Sequence, residues 1–207
     1  IQWASPLNGN IETMKFVNSD LYVGGYFTTV YNGADLVPEA AYIAKWDGTN
    51  WSALSGNGNL PGGSINNAVN ALATDGINLY VGGAFTDVDN QGVVDAAADY
   101  IAKWNGLYWS ALGSNGSGNG SLNGPAIAIL THGYDVYVGG AFTDIDNNGI
   151  ALTAADRITK WDGINWSALG SNGGADGALN NNVWTLGMLG DKLFVGGRFT
   201  NVNNNST

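Results

Sequence analysis

The sequence predicts an all-β protein built as a β-propeller, and three observations carry this prediction. The chain repeats itself with a period of about 57 residues, each repeat contains four short strand-like segments, and no segment shows a sustained helical period. The repeat signal is strong because several independent sequence motifs recur with the same period. VGG begins at 23, 81, 138 and 195, KWDG or KWNG at 45, 103 and 160, and WSAL at 51, 109 and 166.

Each repeat divides into four predicted strands separated by turn residues. In the second repeat the first strand runs from Asn67 to Thr74, and the second has the sequence LYVGGAF. The third and fourth strands, YIAKW and YWSAL, are separated by Asn105-Gly106, a dipeptide typical of tight hairpins. Four strands connected in this way predict one four-stranded antiparallel sheet, or blade, in each repeat.

Packing between blades explains further repeated features. The second strand is almost wholly apolar, as expected for a strand covered on both faces. Its glycine pair suits a place where a neighbouring blade approaches the backbone too closely for a side chain. The tryptophans of the third and fourth strands are expected to fill the space between blades. A β-solenoid is the alternative, although its rungs are usually much shorter than 57 residues.

The repeats divide the chain into three complete units with partial blades at both ends. We expect a single propeller, or a propeller segment, over residues 1–207, with units at approximately 7–64, 65–121, 122–178 and, incomplete, 179–207. Gln2 to Pro6 resembles an isolated fourth strand, and Val183 to Phe199 supplies the first two strands of another blade. A ring closed by these ends would lack one strand and leave an edge uncovered, so a segment of a longer propeller is favoured over a four-bladed ring.

The composition excludes several classes of function. Seven Lys and Arg residues stand against 17 Asp and Glu residues, and a net charge of −10 cannot neutralise a run of phosphates. We therefore expect no nucleic-acid partner. No membrane insertion is expected either, since no apolar run approaches about 18 residues. The absence of cysteine excludes disulfides, thiol catalysis and Cys-ligated zinc.

The loop that follows the glycine pair in the second unit contains the pattern of a calcium site. It has the sequence D-x-D-x-Q-G-x-x-D, with Asp87, Asp89, Gln91 and Asp95 as candidate ligands. Calcium prefers six to eight oxygen ligands, and alternating acidic side chains followed by a glycine turn bring several oxygens together. The alternative is a structural loop, because Asp and Asn also cap their own backbone in turns.

A related pattern occurs in the third unit. Its D-x-D-x-N-G sequence supplies Asp144, Asp146 and Asn148, and Asp156 is the candidate for the last position because Leu152 replaces the ninth-position carboxylate. The first unit has Thr and Tyr in place of the first two aspartates, so no site is expected there. Calcium is thus the candidate cofactor of two of the units.

Little in the sequence indicates catalysis. The single histidine, His132, falls at a predicted turn, and the two glutamates, Glu12 and Glu39, lie in the first unit. No G-x-S-x-G nucleophile elbow is present. We expect a protein that is not an enzyme. Trp184 is the candidate ligand-binding residue, because it is an aromatic residue on a predicted inner strand and is not repeated in the other units.

The repeated sequence motifs resemble those of a known family. A strand ending in Gly-Gly and an aromatic residue, followed by tryptophans on the outer strands, resembles the kelch-type propeller repeat. The sequence pattern LYVGGAFT…YIAKWDG…NWSALGSNG is more similar still to kelch-like repeats of secreted bacterial surface proteins and fungal cell-cortex proteins. The resemblance covers nearly the whole chain and departs from the usual kelch pattern in its longer period. It implies a propeller and a secreted or surface-attached binding scaffold.

Three functional hypotheses follow. The first is a non-enzymatic extracellular or cell-surface propeller, part of a larger protein, that serves binding or adhesion to a protein or glycan. The second is a purely structural repeat domain of a surface assembly or filament. The third is a segment of a propeller enzyme whose site lies on other blades. Assembly with further blades or copies is expected for such a repeat.

Overall fold

A computed structural model describes residues 6–54, 63–174 and 176–203. Within these ranges the chain is all-β, as predicted, with twenty strands and no helix. In this described part, accordingly, no helix is long and apolar enough to cross a membrane. The predicted strand from Gln2 to Pro6 lies outside the described residues except for Pro6 itself.

The strands form three four-stranded antiparallel sheets of one topology, which are the predicted blades, and a two-stranded sheet that we call the half-blade. Blade 1 contains β1 (Ile11–Val17), β2 (Asp20–Gly25), β5 (Ile43–Trp46) and β6 (Trp51–Ser52). Blade 2 contains β7 (Val69–Thr74), β8 (Leu79–Gly83), β11 (Ile101–Trp104) and β12 (Trp109–Ala111). Blade 3 contains β13 (Ala126–His132), β14 (Asp135–Gly140), β17 (Ile158–Trp161) and β18 (Trp166–Ala168). The half-blade contains β19 (Val183–Leu189) and β20 (Lys192–Gly197).

A small hairpin interrupts the loop between the second and third strands of each complete blade. The three hairpins pair β3 (Val30–Asn32) with β4 (Asp35–Val37), β9 (Val88–Asn90) with β10 (Val93–Asp95), and β15 (Ile145–Asp146) with β16 (Ala151–Leu152). Single bridges tie each hairpin to the chain segment that precedes its blade, as Leu122 does with Ile145. The small hairpins are thus fixed parts of the blades.

The first strands of successive blades lie side by side. β1 contacts β7, β7 contacts β13, and β13 contacts β19. Hydrogen bonds cross these junctions: the Leu72 amide donates to Thr13 Oγ1 at 3.2 Å, and Thr131 Oγ1 donates to the Thr74 carbonyl at 2.6 Å. Neighbouring inner strands repeated at one spacing form the propeller-like blade arrangement that the sequence predicts.

The glycine pair has the role that its sequence context predicts. A Cβ atom at Gly82 would lie 2.8 Å from Ile129 Cδ1 and 2.9 Å from Ala126 Cβ, both on the first strand of the next blade. At Gly24 the same position is filled by the Val69 side chain, and at Gly139 by Val183. The second strand of each complete blade therefore has glycine where the next blade approaches most closely.

The repeated tryptophans of blades 2 and 3 lie between blades, as expected. In blade 2 the rings of Trp104 and Trp109 are 5.2 Å apart and tilted by 46°. Both belong to a buried cluster with Leu54 of blade 1, and Trp109 Nε1 donates a hydrogen bond to the Leu54 carbonyl at 2.9 Å. The next junction repeats this bond, from Trp166 Nε1 to the Leu112 carbonyl at 2.7 Å. The outer strands of blades 2 and 3 are thus each hydrogen-bonded to the preceding blade.

The close approach at the second-strand glycine gives a prediction about stability. Replacement of Gly82 by Ala would place a methyl group against Ala126 Cβ, and overpacking of this kind costs about 1–3 kcal/mol of unfolding free energy. Gly187→Ala in the half-blade is the matched control, because a Cβ there meets nothing within 4 Å. Denaturant unfolding of both variants measures the difference, and equal losses would contradict this account of the glycine.

Candidate functional site

The predicted calcium loops fold as the turns of the small hairpins. Gln91 and Gly92 have φ values of 56° and 89°, and Asn148 and Gly149 have φ values of 55° and 91°. The left-handed region suits Gly and Asn, which explains the glycine of each pattern without a ligand. The sequence analysis did not predict these hairpins, although the alternation V-D-N-Q-G-V-V-D is typical of two short strands around a turn.

The second aspartate of each pattern caps its turn. Asp89 Oδ1 accepts a hydrogen bond from the Gly92 amide at 2.5 Å, and Asp146 Oδ1 accepts one from the Gly149 amide at 2.6 Å. Asp89 is completely buried. A buried carboxylate needs such hydrogen bonds, so Asp89 has a structural role whether or not a cation binds, and the half-buried Asp146 caps its turn in the same way.

The other predicted ligands of the second unit contact different partners. Asp87 Oδ2 accepts hydrogen bonds from Asn66 and Thr86, and Gln91 Nε2 donates to a backbone carbonyl 3.2 Å away. Asp95 Oδ1 accepts a hydrogen bond from a backbone amide two residues further on. Across the described ranges no group of three or more His, Cys, Asp or Glu residues is arranged to hold a metal ion.

In the third unit, the predicted ligands are divided between two polar crevices. Asp144 and Asp146 line the larger crevice, which has a volume of about 470 Å³. Asp156 lines the smaller crevice, of about 220 Å³, and Asn148 lines neither. The side chain of Asp156 accepts a hydrogen bond through Oδ2 from the Gly177 amide, while its buried Oδ1 has no hydrogen-bond partner in the described part of the chain.

The two crevices occupy equivalent places, after blade 2 and after blade 3. In the larger crevice the polar side chains come from the small hairpin of blade 3, from the segment before the third strand of blade 2 and from the Asn-rich connection between blades. In the smaller crevice the segment 201–203 after β20 takes the place of the hairpin. The larger crevice has Asp99, Asn115, Asn119, Ser121, Asn123, Asp144, Asp146 and Thr153. The smaller has Asp156, Arg157, Asn172, Asp176, Asn180, Asn201 and Asn203. The sequence analysis missed most of these residues, although the connections GSNGSGNGSLNG and GSNGGADGALNN carry them as a repeat.

At each crevice one carboxyl group joins the segment before the third strand of the preceding blade to the connection. Asp99 Oδ2 accepts a hydrogen bond from the Gly120 amide at 3.0 Å, as Asp156 does from Gly177 at 3.1 Å. Burial raises the pKa of Asp99, and the negative charges of Asp87 and Asp95 raise this pKa further. Burial likewise raises the pKa of Asp156, to which the charges of Asp144 and Asp176 add. Negative charge therefore converges at both places.

The backbone beside the larger crevice is held in an unusual conformation. Tyr100 has a φ value of 63°, which a bulky residue rarely adopts. Two hydrogen bonds fix it: the Tyr100 amide donates to the Phe85 carbonyl at 2.8 Å, and the Gly83 amide donates to the Tyr100 carbonyl at 3.0 Å. Tyr42 and Arg157 repeat this conformation, so the fold enforces it and in this unit sets Tyr100 on the crevice wall.

Trp184 is separate from both crevices. It lies on β19, is 53% exposed, and is not among the residues that line either crevice. The Arg198 guanidinium lies 5.7 Å from the centre of its ring, a distance typical of a cation–π contact. The structure therefore gives Trp184 an accessible surface position, and its role in ligand binding stays a prediction.

The raised pKa of Asp99 predicts how stability depends on pH. Because the folded state disfavours the charged form, ionisation of Asp99 reduces stability at neutral pH. Asp99→Asn keeps an acceptor for the Gly120 amide and removes the charge, so at pH 7 in EDTA it should raise the unfolding free energy by up to about 1 kcal/mol. This gain should disappear at about pH 3, below the ordinary Asp pKa of about 3.9, where the carboxyl is largely protonated in both states. Thermal unfolding of the unsubstituted chain and the variant, at neutral and at acidic pH, measures this gain. A gain that does not depend on pH would contradict the conclusion that the charge of Asp99 reduces stability.

Comparisons with known proteins leave the family of the chain open. No protein-family model matches the chain, and no curated protein sequence matches it. The kelch-like resemblance therefore remains an expectation, and the propeller-like fold rests on the strand topology and the blade junctions. What the protein does must be argued from its crevices and exposed surfaces.

Proposed function

We propose that this chain is a non-enzymatic extracellular scaffold that binds a ligand in the larger crevice between blades 2 and 3. The observation that carries the proposal is the crevice itself, a polar cavity of about 470 Å³ on a fixed framework. Its walls come from hydrogen-bonded turns and from the constrained backbone of Tyr100. Binding sites commonly lie on loops that a rigid scaffold positions in this way.

The chemistry of the crevice favours a hydroxyl-rich ligand such as a glycan. Its polar side chains are carboxylates, amides and hydroxyls, which can donate to and accept from sugar hydroxyl groups. Tyr100 adds an aromatic surface against which a sugar ring could pack. Neither lysine nor arginine lines this crevice, and the chain carries a net charge of −10, so a neutral or basic ligand fits better than an anionic one. The extracellular assignment rests on the resemblance to repeats of surface proteins.

The binding proposal predicts that the chain selects neutral or amino sugars on a glycan array. Asp144→Ala should weaken binding of a selected glycan at least about 10-fold, since loss of a hydrogen bond to a charged group costs about 1.5–3 kcal/mol. Asp35→Ala, on the exposed hairpin of the first unit, is the matched control and should bind normally. Titration calorimetry measures the affinity of the unsubstituted chain and of the two variants for the selected glycan. Absence of any selected glycan would contradict the proposal, as would equal binding by both variants.

Calcium is proposed as a second component that stiffens these loops. The candidate oxygens are those of Asp87, Asp89, Gln91 and Asp95 in the second unit; in the third they are those of Asp144, Asp146, Asn148 and Asp156. Burial raises the pKa of Asp156, the charges of Asp144 and Asp176 raise it further, and a bound cation would relieve this repulsion. The orphan Oδ1 atom of Asp156 is also available for a ligand, within the described residues.

The calcium proposal predicts a higher melting temperature in millimolar Ca²⁺ than in EDTA. Asp156→Asn should reduce this shift by at least half, because it removes a charge from the candidate site. Asp35→Asn provides the control, as it lies in the unit for which no site is predicted. Differential scanning calorimetry gives the result. A melting temperature that is identical in Ca²⁺ and EDTA would rule out a stabilising calcium site.

A further inference from the structure

A cleft lies between blades 1 and 2, on the other side of blade 2 from the larger crevice. It consists of two adjoining cavities, of about 270 Å³ and about 230 Å³. Both cavities are lined by Tyr22 and Lys45 of blade 1 and by Trp104 and Gly106 of blade 2. We call this space the first-junction cleft. Because it is enclosed by two complete blades, its walls are those of an interior junction of the fold.

The cleft contains a pair of opposite charges. Lys45 Nζ lies 3.1 Å from Asp20 Oδ2, and the two side chains are 32% and 30% exposed. Lys45 lines both cavities, and Asp20 lines the one of about 230 Å³. An ammonium group has three N–H donors, and a carboxylate has several acceptor positions. The contact between them therefore leaves donors on one group and acceptors on the other for a ligand.

The hydroxyl of Tyr22 adds a donor beside these charges. Burial raises the pKa of Tyr22, the charge of Lys45 lowers it and the charge of Asp20 raises it, so the hydroxyl lies within reach of both groups. A hydrogen bond from the Trp104 indole also lowers this pKa. An indole N–H can only donate, so this bond leaves the hydroxyl proton of Tyr22 without an acceptor among the described residues.

Blade 2 does not repeat this arrangement. Its tyrosine hydroxyl is occupied, because Tyr80 donates a hydrogen bond to Asp75 Oδ2 at 3.0 Å. Its third-strand lysine, Lys103, lies opposite this tyrosine in register, as in blade 1. Asn78 occupies the place of the aspartate that pairs with the lysine of blade 1, so Lys103 lacks this partner. A free tyrosine proton and an ion pair thus occur together at the first junction and not at the second.

A ligand that carries both signs of charge fits this pair better than a simple ion. An anion at Lys45 would be repelled by Asp20, and a cation at Asp20 would be repelled by Lys45. In an α-amino acid the ammonium nitrogen and the carboxylate oxygens are joined through a single Cα and lie about 3 Å apart. This separation matches the 3.1 Å between Lys45 Nζ and Asp20 Oδ2. The four charges can therefore alternate in sign around one closed set of contacts.

We propose that the first-junction cleft binds a free α-amino acid with an apolar side chain. The carboxylate of the ligand accepts hydrogen bonds from Lys45 and Tyr22, and its ammonium group donates to Asp20. The side chain of the ligand packs against the apolar wall of the cavity of about 270 Å³. This wall consists of Ala53, Leu54, Trp104 and Leu107. Such a ligand has no net charge, so the net charge of −10 on the chain does not repel it. This site is separate from the larger crevice and does not depend on the function proposed for it.

Titration with L-leucine at neutral pH tests the proposal. Blade 3 repeats the ion pair as Lys160 with Asp135, so the measurement must be specific to this cleft. The indole N–H signal of Trp104 in ¹H–¹⁵N NMR, assigned from a Trp104→Phe variant, provides this specificity. Leucine should shift the signal saturably. N-Acetyl-L-leucine lacks the ammonium group and L-leucinamide lacks the carboxylate, so each should bind at least about 10-fold more weakly, because contacts to a charged group are lost.

Substitutions in the cleft test the assigned contacts. Lys45→Met and Asp20→Asn should each weaken leucine binding at least about 10-fold, and Tyr22→Phe should weaken it about 2- to 10-fold, since it removes one hydrogen bond and keeps the ring. Lys103→Met is the matched control, because it removes the equivalent lysine of blade 2, and it should bind leucine as the unsubstituted chain does. Thermal unfolding verifies that each variant is folded.

Three results would overturn the proposal. The first is the absence of a saturable shift of the Trp104 signal with leucine. The second is equal binding of N-acetyl-L-leucine, which would indicate a site for any carboxylate. The third is an equal loss of affinity in Lys45→Met and Lys103→Met, which would indicate a general effect of charge and not a contact in this cleft.

Discussion

The close approach of one blade to the second-strand glycine of the preceding blade is the contact on which the rest of the structure depends. At Gly82 the neighbouring Ile129 and Ala126 side chains occupy the space that a Cβ would need. This spacing brings the first strands within hydrogen-bonding distance, as the Thr131 to Thr74 bond shows. It also lets the outer tryptophan reach a carbonyl of the preceding blade. Inner and outer contacts therefore both follow from the absence of one side chain.

The polar crevices are a consequence of the same junction. The chain must pass from the outer strand of one blade to the inner strand of the next, and its connection crosses the end of the sheet beside the small hairpin. Backbone groups exposed along such a path need partners. Asp99 supplies one to Gly120 and Asp156 supplies one to Gly177. The carboxylates that make the crevices acidic thus also hold the connection in place, which explains why the two crevices resemble each other.

The sequence predicts the blades well because their determinants are local and repeated. The Asp-Gly and Asn-Gly turns, the apolar second strand and the glycine pair each have one physical explanation, and the structure agrees with all three. The lysine beside the inner tryptophan could likewise be expected to pair with an aspartate, as Lys160 does with Asp135. Where one residue pattern serves one purpose, reasoning from the sequence is reliable.

The candidate site is harder to predict because its residues depend on distant partners. The Asp99 carboxyl is positioned by a hydrogen bond from the Gly120 amide, 21 residues further along the chain, and nothing in its local sequence indicates that contact. The left-handed backbone of Tyr100 runs against the preference of a tyrosine and follows from tertiary hydrogen bonds. The D-x-D-x-Q-G motif is compatible with both a cation-binding loop and a capped hairpin turn, so the motif alone does not distinguish these two structures.

The junction has a direction, since blades 2 and 3 present glycine on one face and a branched side chain on the other. These residues are Gly82 and Val69 in blade 2, and Gly139 and Ile129 in blade 3. Each of these units therefore carries both halves of a joint that matches its neighbours. An in-frame duplication of 57 codons would insert a blade that already fits on both sides, and a deletion of the same length would rejoin two compatible faces. Such a gene can change the size of its product by recombination between its own repeats without a new interface having to evolve.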